Sequence, residues 1–322
     1  MLIIKNLSKN ARNIIIFGTV IVIFMTVVAV FIRLASVQKP DVRRDKLIVV
    51  TTLFPLYDMT KNIGGNKADV LLLLPPGAEA HTFEPKPSDI VKINEADIFI
   101  YTGMFMEPWA ADIIKSVKNK KLIVVDASKG VKMIPAVFHD ADEPVGSMDP
   151  HIWLDFDNAK VMVGSIKQAF ISKDNRNADF YSQNALTYNN QLTQLDNEYR
   201  TSLSGCQTKE IIYAGHYAFG YLAKRYGLKY LAAQGVSPDS EPTAKDLIKL
   251  INQINKDKIK YVFYEELTSP KIAETIAGET HAKILMLNAA HNLSKEQFES
   301  GTSYFEILKS DLDNLNAGLV CK

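Results

Sequence analysis

Cysteine is scarce in this sequence of 322 residues, with only Cys206 and Cys321 present. Two cysteines so far apart in the chain do not make a structural zinc site by themselves. Two interpretations stay open here, a disulfide in an oxidising compartment and a pair of unlinked thiols. The sequence also lacks low-complexity tracts, short repeats and an H-E-x-x-H motif, so it carries no compact signature of a zinc hydrolase.

Strong net charge is missing as well, since the formal net charge is only +1. Residues 1–46 contain eight Lys and Arg against two Asp and Glu, and the rest of the chain has 29 basic and 34 acidic residues. A mildly acidic body without a basic cluster indicates that nucleic acid is not a partner. The length suits about two domains, and 47% hydrophobic residues allow a sizeable core.

The N-terminal segment has a composition of its own. Lys5, Lys9 and Arg12 precede an uncharged, largely apolar stretch over residues 13–32. A positive flank followed by an apolar run predicts an export signal, and about 20 residues also suffice to span a bilayer. Because the sequence after the apolar stretch offers only a poor cleavage site, we favour an uncleaved anchor over a cleaved signal for residues 1–46. Both alternatives place the body outside the cytoplasm, in the periplasm or at the outer face of the membrane.

Short apolar runs alternate with helical segments through the rest of the chain, which predicts parallel sheets covered by helices. The first half contains four predicted strands, and the second half repeats the design with four more. These eight runs are residues 47–54, 70–74, 97–102, 121–127, 210–215, 228–233, 259–266 and 282–288. We therefore predict two four-stranded α/β lobes.

A long helical stretch without glycine or proline separates the two halves and predicts a rigid linking helix about 40 Å long. The predicted divisions are an N-terminal lobe over 47–175, the linking helix over 176–204 and a C-terminal lobe over 205–322. Two lobes on a stiff helix leave a cleft between them. Open α/β sheets bind ligands at the carboxyl ends of their strands, so we expect the functional site in this cleft.

Three of the six histidines follow predicted strands at that edge. His81 lies in a proline-rich loop after the second strand, His151 lies in a loop after the fourth, and His216 directly follows the fifth. Two of these imidazoles belong to one lobe and one to the other, so the lobes can bring them together. Three imidazoles are suitable ligands for zinc, which binds histidine nitrogen at about 2.0–2.1 Å.

The other three histidines do not have that placement in our interpretation of the sequence. We expect His139 to lie on a solvated acidic loop and His281 to be an exposed residue at a helix end. His291 lies in the loop after the last strand, and we give little weight to its approaching the site. Trp153 and the aromatic residues around His216 are expected to pack in the core, although Trp153 is close enough in sequence to His151 to report metal binding.

At these residues the sequence resembles the zinc/manganese-binding proteins that deliver metal to ABC importers. The resemblance covers roughly residues 47–317 in family order. Its matching segments are "LPPGAEAHTFEPKPSDIVKINEADIFIYTG", "MDPHIWLDFDNAKVM", "AGHYAFGYLAKRYGLKY", "GVSPDSEPTAKDLIKLINQINKDKIKYVFYEE" and "SPKIAETIAGETHAKILMLN".

The resemblance implies two lobes joined by one rigid helix, with the metal held between them and an ABC permease as partner. It carries His81, His151 and His216 over as metal ligands. Relatives that favour Mn²⁺ usually have glutamate at the position of His216, so histidine there implies Zn²⁺, with Mn²⁺ as the alternative. We expect the protein to act as a monomer.

The sequence departs from the family at three places. Asn288 stands where the fourth ligand is commonly an aspartate, so we assign Asn288 to a doubtful fourth position, with Glu79, Glu265 and Glu266 as alternatives. The loop before His151 lacks the histidine-rich insertion of many zinc-specific relatives. The lipid-attachment cysteine is also missing, and we expect the N-terminal apolar segment to take its place.

Capture of Zn²⁺ for an importer is therefore the leading hypothesis, and two other classes of function accompany it. A zinc hydrolase would use an open fourth position to activate water, with Glu265 or Glu266 as the base. A surface adhesin would use the same fold to bind a partner. We expect the protein not to be an enzyme.

Overall fold

The computed structural model describes residues 16–28, 45–137, 146–236 and 242–322. Backbone contacts divide the chain into two units between Asp45 and Lys46. In the first unit, residues 16–28 form helix α1, whose side chains are exposed. Among the described residues, no helix has both the length and the apolar character needed to cross a membrane. The predicted segment 13–32 lies partly outside the described residues, so its role as a signal or an anchor stays a prediction.

The N-terminal lobe is built on a parallel sheet with the strand order β2-β1-β3-β4. Apolar residues fill its inner strands, as their near-continuous hydrophobic sequences predict for a sheet covered on both faces. Its strands are β1 (Leu47–Thr51), β2 (Ala68–Leu72), β3 (Ile98–Tyr101) and β4 (Ile123–Asp126), and its helices are α2 (Phe54–Gly64), α3 (Pro87–Glu95) and α4 (Ala110–Ser116).

Two long helices follow the first lobe. Helix α5 spans Phe156–Lys173. The residue before it, Asp155, caps the helix, because its carboxylate accepts hydrogen bonds from the backbone N–H groups of Asp157 and Asn158. This is a side-chain cap of the kind that stabilises a helix N-terminus. Helix α6 spans Ala178–Ser204, and its 27 residues make a strut about 40 Å long.

The C-terminal lobe repeats the strand order of the first as β6-β5-β7-β8, again with parallel strands. Its strands are β5 (Glu210–Ala214), β6 (Lys229–Ala232), β7 (Tyr261–Glu265) and β8 (Lys283–Leu287), and its helices are α7 (Gly220–Tyr226), α8 (Ala244–Asp257), α9 (Lys271–Thr280), α10 (Lys295–Ser300) and α11 (Tyr304–Gly318). All eight predicted strands and the predicted fold class are thereby confirmed. The residue boundaries proposed for the lobes stay a prediction.

Buried hydrogen bonds fasten both lobes to the strut. The carboxylate of Asp58, on α2, accepts a 2.7 Å hydrogen bond from the Tyr188 hydroxyl on α6 and a 3.2 Å bond from the backbone N–H of Tyr304 on α11. The Tyr304 hydroxyl in turn donates to the Trp153 carbonyl oxygen at 2.5 Å. Because one carboxylate joins the two lobes and the strut, these three parts belong to a single packed unit.

Arg225 makes a second, charged connection between the same parts. Its guanidinium, on α7, contacts the Asp196 carboxylate on α6 at 2.7 Å and the carboxylates of Asp155 and Asp157 at the start of α5 at 3.2 and 2.9 Å. The side chains of Arg225 and Asp196 are 10% and 9% exposed. A paired charge that is this shielded from water interacts more strongly than a surface ion pair.

A disulfide joins Cys206 to Cys321, so the alternative left open by the sequence is settled in favour of the linked pair. It connects the end of the strut region to the end of the chain, across 115 residues of sequence. Closing a loop of that size restricts the unfolded chain and so stabilises the C-terminal lobe.

Candidate metal centre

The three predicted ligands lie at the carboxyl ends of the strands, on loops of different construction. His81 lies in the loop after β2, where Gly77 has a φ of +83° that favours glycine. His216 follows β5 by two residues. The residue before it, Gly215, has to be glycine, because a Cβ there would lie only 2.5 Å from Oε2 of Glu265. His151 ends the loop after β4 and lies directly before the turn Ile152–Leu154.

These three imidazoles converge between the lobes. One ring nitrogen from each of His81, His151 and His216 lies within 4.8 Å of the others, and Nε2 of His151 is 3.1 Å from Nε2 of His216. The three ring centres are 5.1–5.2 Å apart. A ring centre lies about 3.2 Å from a bound zinc, so tetrahedral ligands should have ring centres about 5.2 Å apart. The cluster therefore has the dimensions of a tetrahedral zinc site.

Buried carboxylates orient two of the rings. Asp149 Oδ1 lies 2.8 Å from Nδ1 of His151, and Glu265 Oε1 lies 2.6 Å from Nδ1 of His216. The second oxygen of Glu265 also accepts a 3.0 Å hydrogen bond from the backbone N–H of His216. A carboxylate on the far nitrogen holds a histidine in one orientation and makes it a better metal ligand. His151 and His216 consequently direct their Nε2 atoms toward the centre of the cluster.

Burial and the carboxylate of Glu265 together determine the charge of the cluster. Burial lowers the pKa of His81 and of His151 well below the ordinary value, and the neighbouring His216 lowers both further. Burial also opposes the protonation of His216, but the charge and hydrogen bond of Glu265 outweigh it and raise the pKa of His216. His81 and His151 are therefore neutral at pH 7 and present lone pairs, which is the form that binds metal.

A fourth imidazole lies beside these three, contrary to our expectation for His291. This residue is 2% exposed, and its ring centre lies 5.6 Å from that of His216 and 6.2 Å from that of His81. Its ligand atom also lies within 4.8 Å of carboxylate oxygens of Glu79 and Glu265. His291 follows β8, which ends at the same edge of the sheet as β5. Its loop therefore reaches the cluster just as the loop of His216 does.

The candidates for the fourth position have other contacts. Oδ1 of Asn288 accepts a 2.7 Å hydrogen bond from the backbone N–H of Ala290 and so closes a tight turn. Glu79 accepts from the backbone N–H of His81, and Glu266 accepts from the backbone N–H of Ala289, both at 3.0 Å. Burial, followed by the charge of Glu265, raises the pKa of Glu266 well above its ordinary value. The assignment of Asn288 to the fourth position stays a prediction.

The loop that carries His291 also holds the loop that carries His81. The Asn292 amide donates hydrogen bonds to the carbonyl oxygens of Pro75 and Ala78 at 2.8 and 2.7 Å. The backbone N–H of Gly77 donates to the Leu293 carbonyl at 2.7 Å. These contacts cross from one lobe to the other, so the orientation of the His81 loop depends on the opposite lobe.

The remaining histidines lie elsewhere. His281 is exposed and caps the end of α9, as predicted. His139 lies outside the described residues.

Trp153 is buried, as expected, with its ring centre 5.5 Å from that of His151 and its indole N–H donating to the Ala289 carbonyl at 2.7 Å. Trp153 thus contacts His151 in one lobe and the loop that carries His291 in the other.

Two α/β lobes on a rigid helix, with buried imidazoles converging between them, define a class of metal-binding protein. The chain belongs to the family described as the zinc-uptake complex component A, periplasmic, or ZnuA, whose model matches residues 49–318. The family expected from the sequence motifs is therefore confirmed.

Two relatives and one solved structure illustrate the similarity. The high-affinity zinc uptake system protein ZnuA of Bacillus subtilis is 39% identical over 289 residues, which cover 88% of this chain and 90% of that protein. The zinc-binding protein AdcA of Streptococcus pyogenes is 35% identical over 286 residues, covering 84% of this chain. The match covers only 55% of AdcA, so this chain spans about half of its length.

The solved structure is the laminin-binding protein Lmb of Streptococcus agalactiae, described as a bifunctional protein with adhesin and metal transporting activity. It is 32% identical, with a TM-score of 0.75, and the alignment covers 85% of this chain and 99% of Lmb.

Proposed function

We propose that this protein captures Zn²⁺ outside the cytoplasm and delivers it to an ABC permease for import. The observation that carries the proposal is the convergence of buried nitrogen atoms from His81, His151 and His216 within 4.8 Å of one another. Membership of the zinc-uptake family and the zinc-related names of the two relatives support it.

Capture depends on histidines that are already positioned, and two of them, His81 and His151, are also neutral because burial lowers their pKa. Asp149 and Glu265 hold two of the rings before any metal arrives, so little ordering entropy is lost when Zn²⁺ binds. Zn²⁺ is cargo here and has to be released. The loop of His81 is the part of the site that we expect to move, because its contacts are made with the opposite lobe and Glu79 beside it is only partly buried.

Imidazole donors favour Zn²⁺ over Mn²⁺, since manganese prefers oxygen ligands. The carboxylates of Asp149 and Glu265 each have one oxygen in contact with Nδ1 of a histidine, so these two groups orient imidazole donors. We therefore keep Mn²⁺ as the weaker ligand of the same site.

The apolar segment 13–32 would bring the body to the outer face of the membrane, as a cleaved signal or as an uncleaved anchor. Its composition supports this proposal, with a positive flank before an uncharged run. Membership of the zinc-uptake family makes an ABC permease the expected partner, and we expect the protein to bind the permease as a monomer.

The two alternative classes of function receive unequal support. A hydrolase would need Glu265 or Glu266 as a free base, but Glu265 contacts His216 through both oxygens and Glu266 accepts from Ala289. An adhesin role has one argument in its favour, the similarity to Lmb, which is described as both adhesin and metal transporter. Binding of the purified protein to immobilised laminin would test that role independently of metal.

Metal analysis tests the main proposal. The protein is loaded with equimolar Zn²⁺ and Mn²⁺, dialysed and measured by mass spectrometry, together with His216→Ala and the exposed control His281→Ala. We expect one zinc per chain in the wild type and the control and a loss of zinc in His216→Ala. Preferential retention of manganese, or equal zinc in all three proteins, would contradict the proposal.

A further inference from the structure

His291 is a buried imidazole without a described hydrogen-bond partner at Nδ1, at the edge of the three-histidine cluster. We propose that His291 is the fourth zinc ligand and completes a site made entirely of imidazoles. The inference rests on the proposed zinc function and goes beyond it, because it specifies the donor set of this particular chain.

The spacing of the rings supports a fourth ligand at this position. Tetrahedral geometry places ring centres about 5.2 Å apart around zinc. The ring of His291 lies 5.6 Å from His216 and 6.2 Å from His81, which is within about 1 Å of that spacing. A small movement of one loop would close the difference, whereas the oxygen of Asn288 already closes a turn with Ala290.

The loop after β8 is built to present this side chain. Asn288 accepts a hydrogen bond from Ala290, and Ala290 has a left-handed φ of +59°. The backbone N–H of Asn288 donates to the buried carboxyl of Asp311 at 2.9 Å. The carbonyl oxygen of His291 accepts a 3.3 Å bond from the backbone N–H of Phe54 in the other lobe. Asn288 therefore shapes the loop, and His291 faces the cluster.

A carboxyl group, that of Glu266, lies behind His291, as carboxylates lie behind two of the other three rings. Oε1 of Glu266 lies 3.6 Å from Nδ1 of His291, so we assign Nε2 of His291 to the metal. The corresponding contacts of His151 with Asp149 and of His216 with Glu265 are hydrogen bonds of 2.8 and 2.6 Å, so the contact of His291 with Glu266 is the longer one. A carboxyl group behind the far nitrogen of a ligating histidine is the arrangement that strengthens zinc binding.

These carboxylates also resolve the problem of charge. Four neutral imidazoles would leave the +2 charge of zinc without a bound anion. Asp149 and Glu265 lie directly behind ligand rings, and Glu79 accepts a hydrogen bond from the backbone N–H of His81, so carboxylate groups lie close to the site without replacing an imidazole. Such a donor set should favour Zn²⁺ over Mn²⁺ more strongly than a set that includes a carboxylate.

Counting imidazoles around the bound metal tests the inference. X-ray absorption at the zinc edge, with chelator competition for affinity, is measured on the wild type, His291→Ala and the control His281→Ala. We expect one zinc with four imidazoles in the wild type and the control. His291→Ala should keep one zinc with three imidazoles and lose affinity by at least about 10-fold, because loss of a ligand should cost no less than loss of the carboxylate that orients one.

Each other result has a distinct meaning. Three imidazoles in the wild type, or unchanged affinity in His291→Ala, would overturn the assignment of His291 while leaving zinc capture intact. Two zinc ions per chain would overturn it in favour of a separate position at Glu79, Glu265 and His291. No zinc in the wild type would contradict the proposed function itself. If His291→Ala does not fold, His291→Glu replaces it and should bind zinc with three imidazoles and one carboxylate.

Discussion

His216 and His81 enter the same cluster from opposite lobes, and their loops are held by different contacts. His216 is held within its own lobe, because Glu265 at the end of β7 accepts hydrogen bonds from its backbone N–H and contacts its Nδ1. The loop of His81 is instead tied to Asn292 and Leu293 of the other lobe. From this difference we propose a fixed half of the site, His216, which would recognise the metal, and an adjustable half, the loop of His81, which would admit and release it.

The largest expected effect separates the two halves directly. His216→Ala should weaken zinc binding by more than about 100-fold, since loss of a ligand should exceed the 10–100-fold effect of losing an orienting carboxylate. His81→Ala should weaken it less and mainly accelerate release. Chelator competition gives the affinities and stopped-flow transfer of zinc to a chelator gives the release rates. Equal losses of affinity with equal release rates would remove the distinction.

Glu265→Gln tests whether the fixed half depends on its carboxylate. The amide keeps the size of the side chain but loses the charge that stabilises the zinc-bound imidazole of His216, so zinc affinity should fall by about 10–100-fold. Glu274→Gln, an exposed carboxylate on α9, is the matched control and should leave affinity unchanged. An affinity for zinc in Glu265→Gln equal to that of the wild type would show that Glu265 does not support the ligand.

Asp196→Asn weakens the charged connection between the lobes and the strut. Burial raises the pKa of Asp196, but hydrogen bonds from Arg225 and Tyr226 outweigh it and lower the pKa to about 2. The ionised carboxylate therefore stabilises the fold above pH 4, and this contribution is lost as the pH falls toward 2. The substitution should cost about 2 kcal/mol at pH 7.

Denaturant unfolding at several pH values measures that contribution. The difference in unfolding free energy between wild type and Asp196→Asn should shrink as the pH falls from 4 toward 2. A difference that stays constant over this range would mean that the ion pair with Arg225 is not its source.

Asn292→Ala weakens the contact that holds the loop of His81 against the opposite lobe. It removes two hydrogen bonds to Pro75 and Ala78, each contributing about 1 kcal/mol. The loop of His81 should then sample more conformations, so zinc should be released several-fold faster with only a few-fold loss of affinity. Hydrogen exchange of residues 75–84 provides the second measurement, and unchanged exchange would contradict this account of the loop.

The smallest effect is a change in fluorescence. Trp153 lies 5.5 Å from the ring of His151 and donates to Ala289 in the loop of His291, so zinc binding should alter its emission. Trp109→Phe leaves Trp153 as the only tryptophan and should keep the signal. Trp153→Phe should abolish it, and a signal that persists there would have to come from Trp109.

The fold could be predicted almost completely because each strand is a short apolar run between turn residues, and such runs specify a parallel sheet locally. Helix α7 begins only at Gly220, because the residues directly after His216 belong to its loop. Helix α10 could not be predicted, because its six residues, Lys295–Ser300, are too few to show a helical period.

The site was less completely predictable. His81, His151 and His216 could be selected because they follow strands at one edge of their sheets. His291 meets the same criterion, but its approach depends on the turn that Asn288 and Ala290 make, and a turn of that kind leaves only a weak signal in sequence. The pairing of Cys206 with Cys321 depends on where the chain end packs, which no local pattern specifies.

The central claim is that zinc is bound between the lobes by imidazoles from both. Crystals of the zinc-loaded protein, measured at wavelengths on either side of the zinc absorption edge, test it most directly. The account predicts one anomalous peak about 2.0–2.1 Å from nitrogens of His81, His151 and His216. A peak at another position, or none at full zinc occupancy in solution, would contradict it.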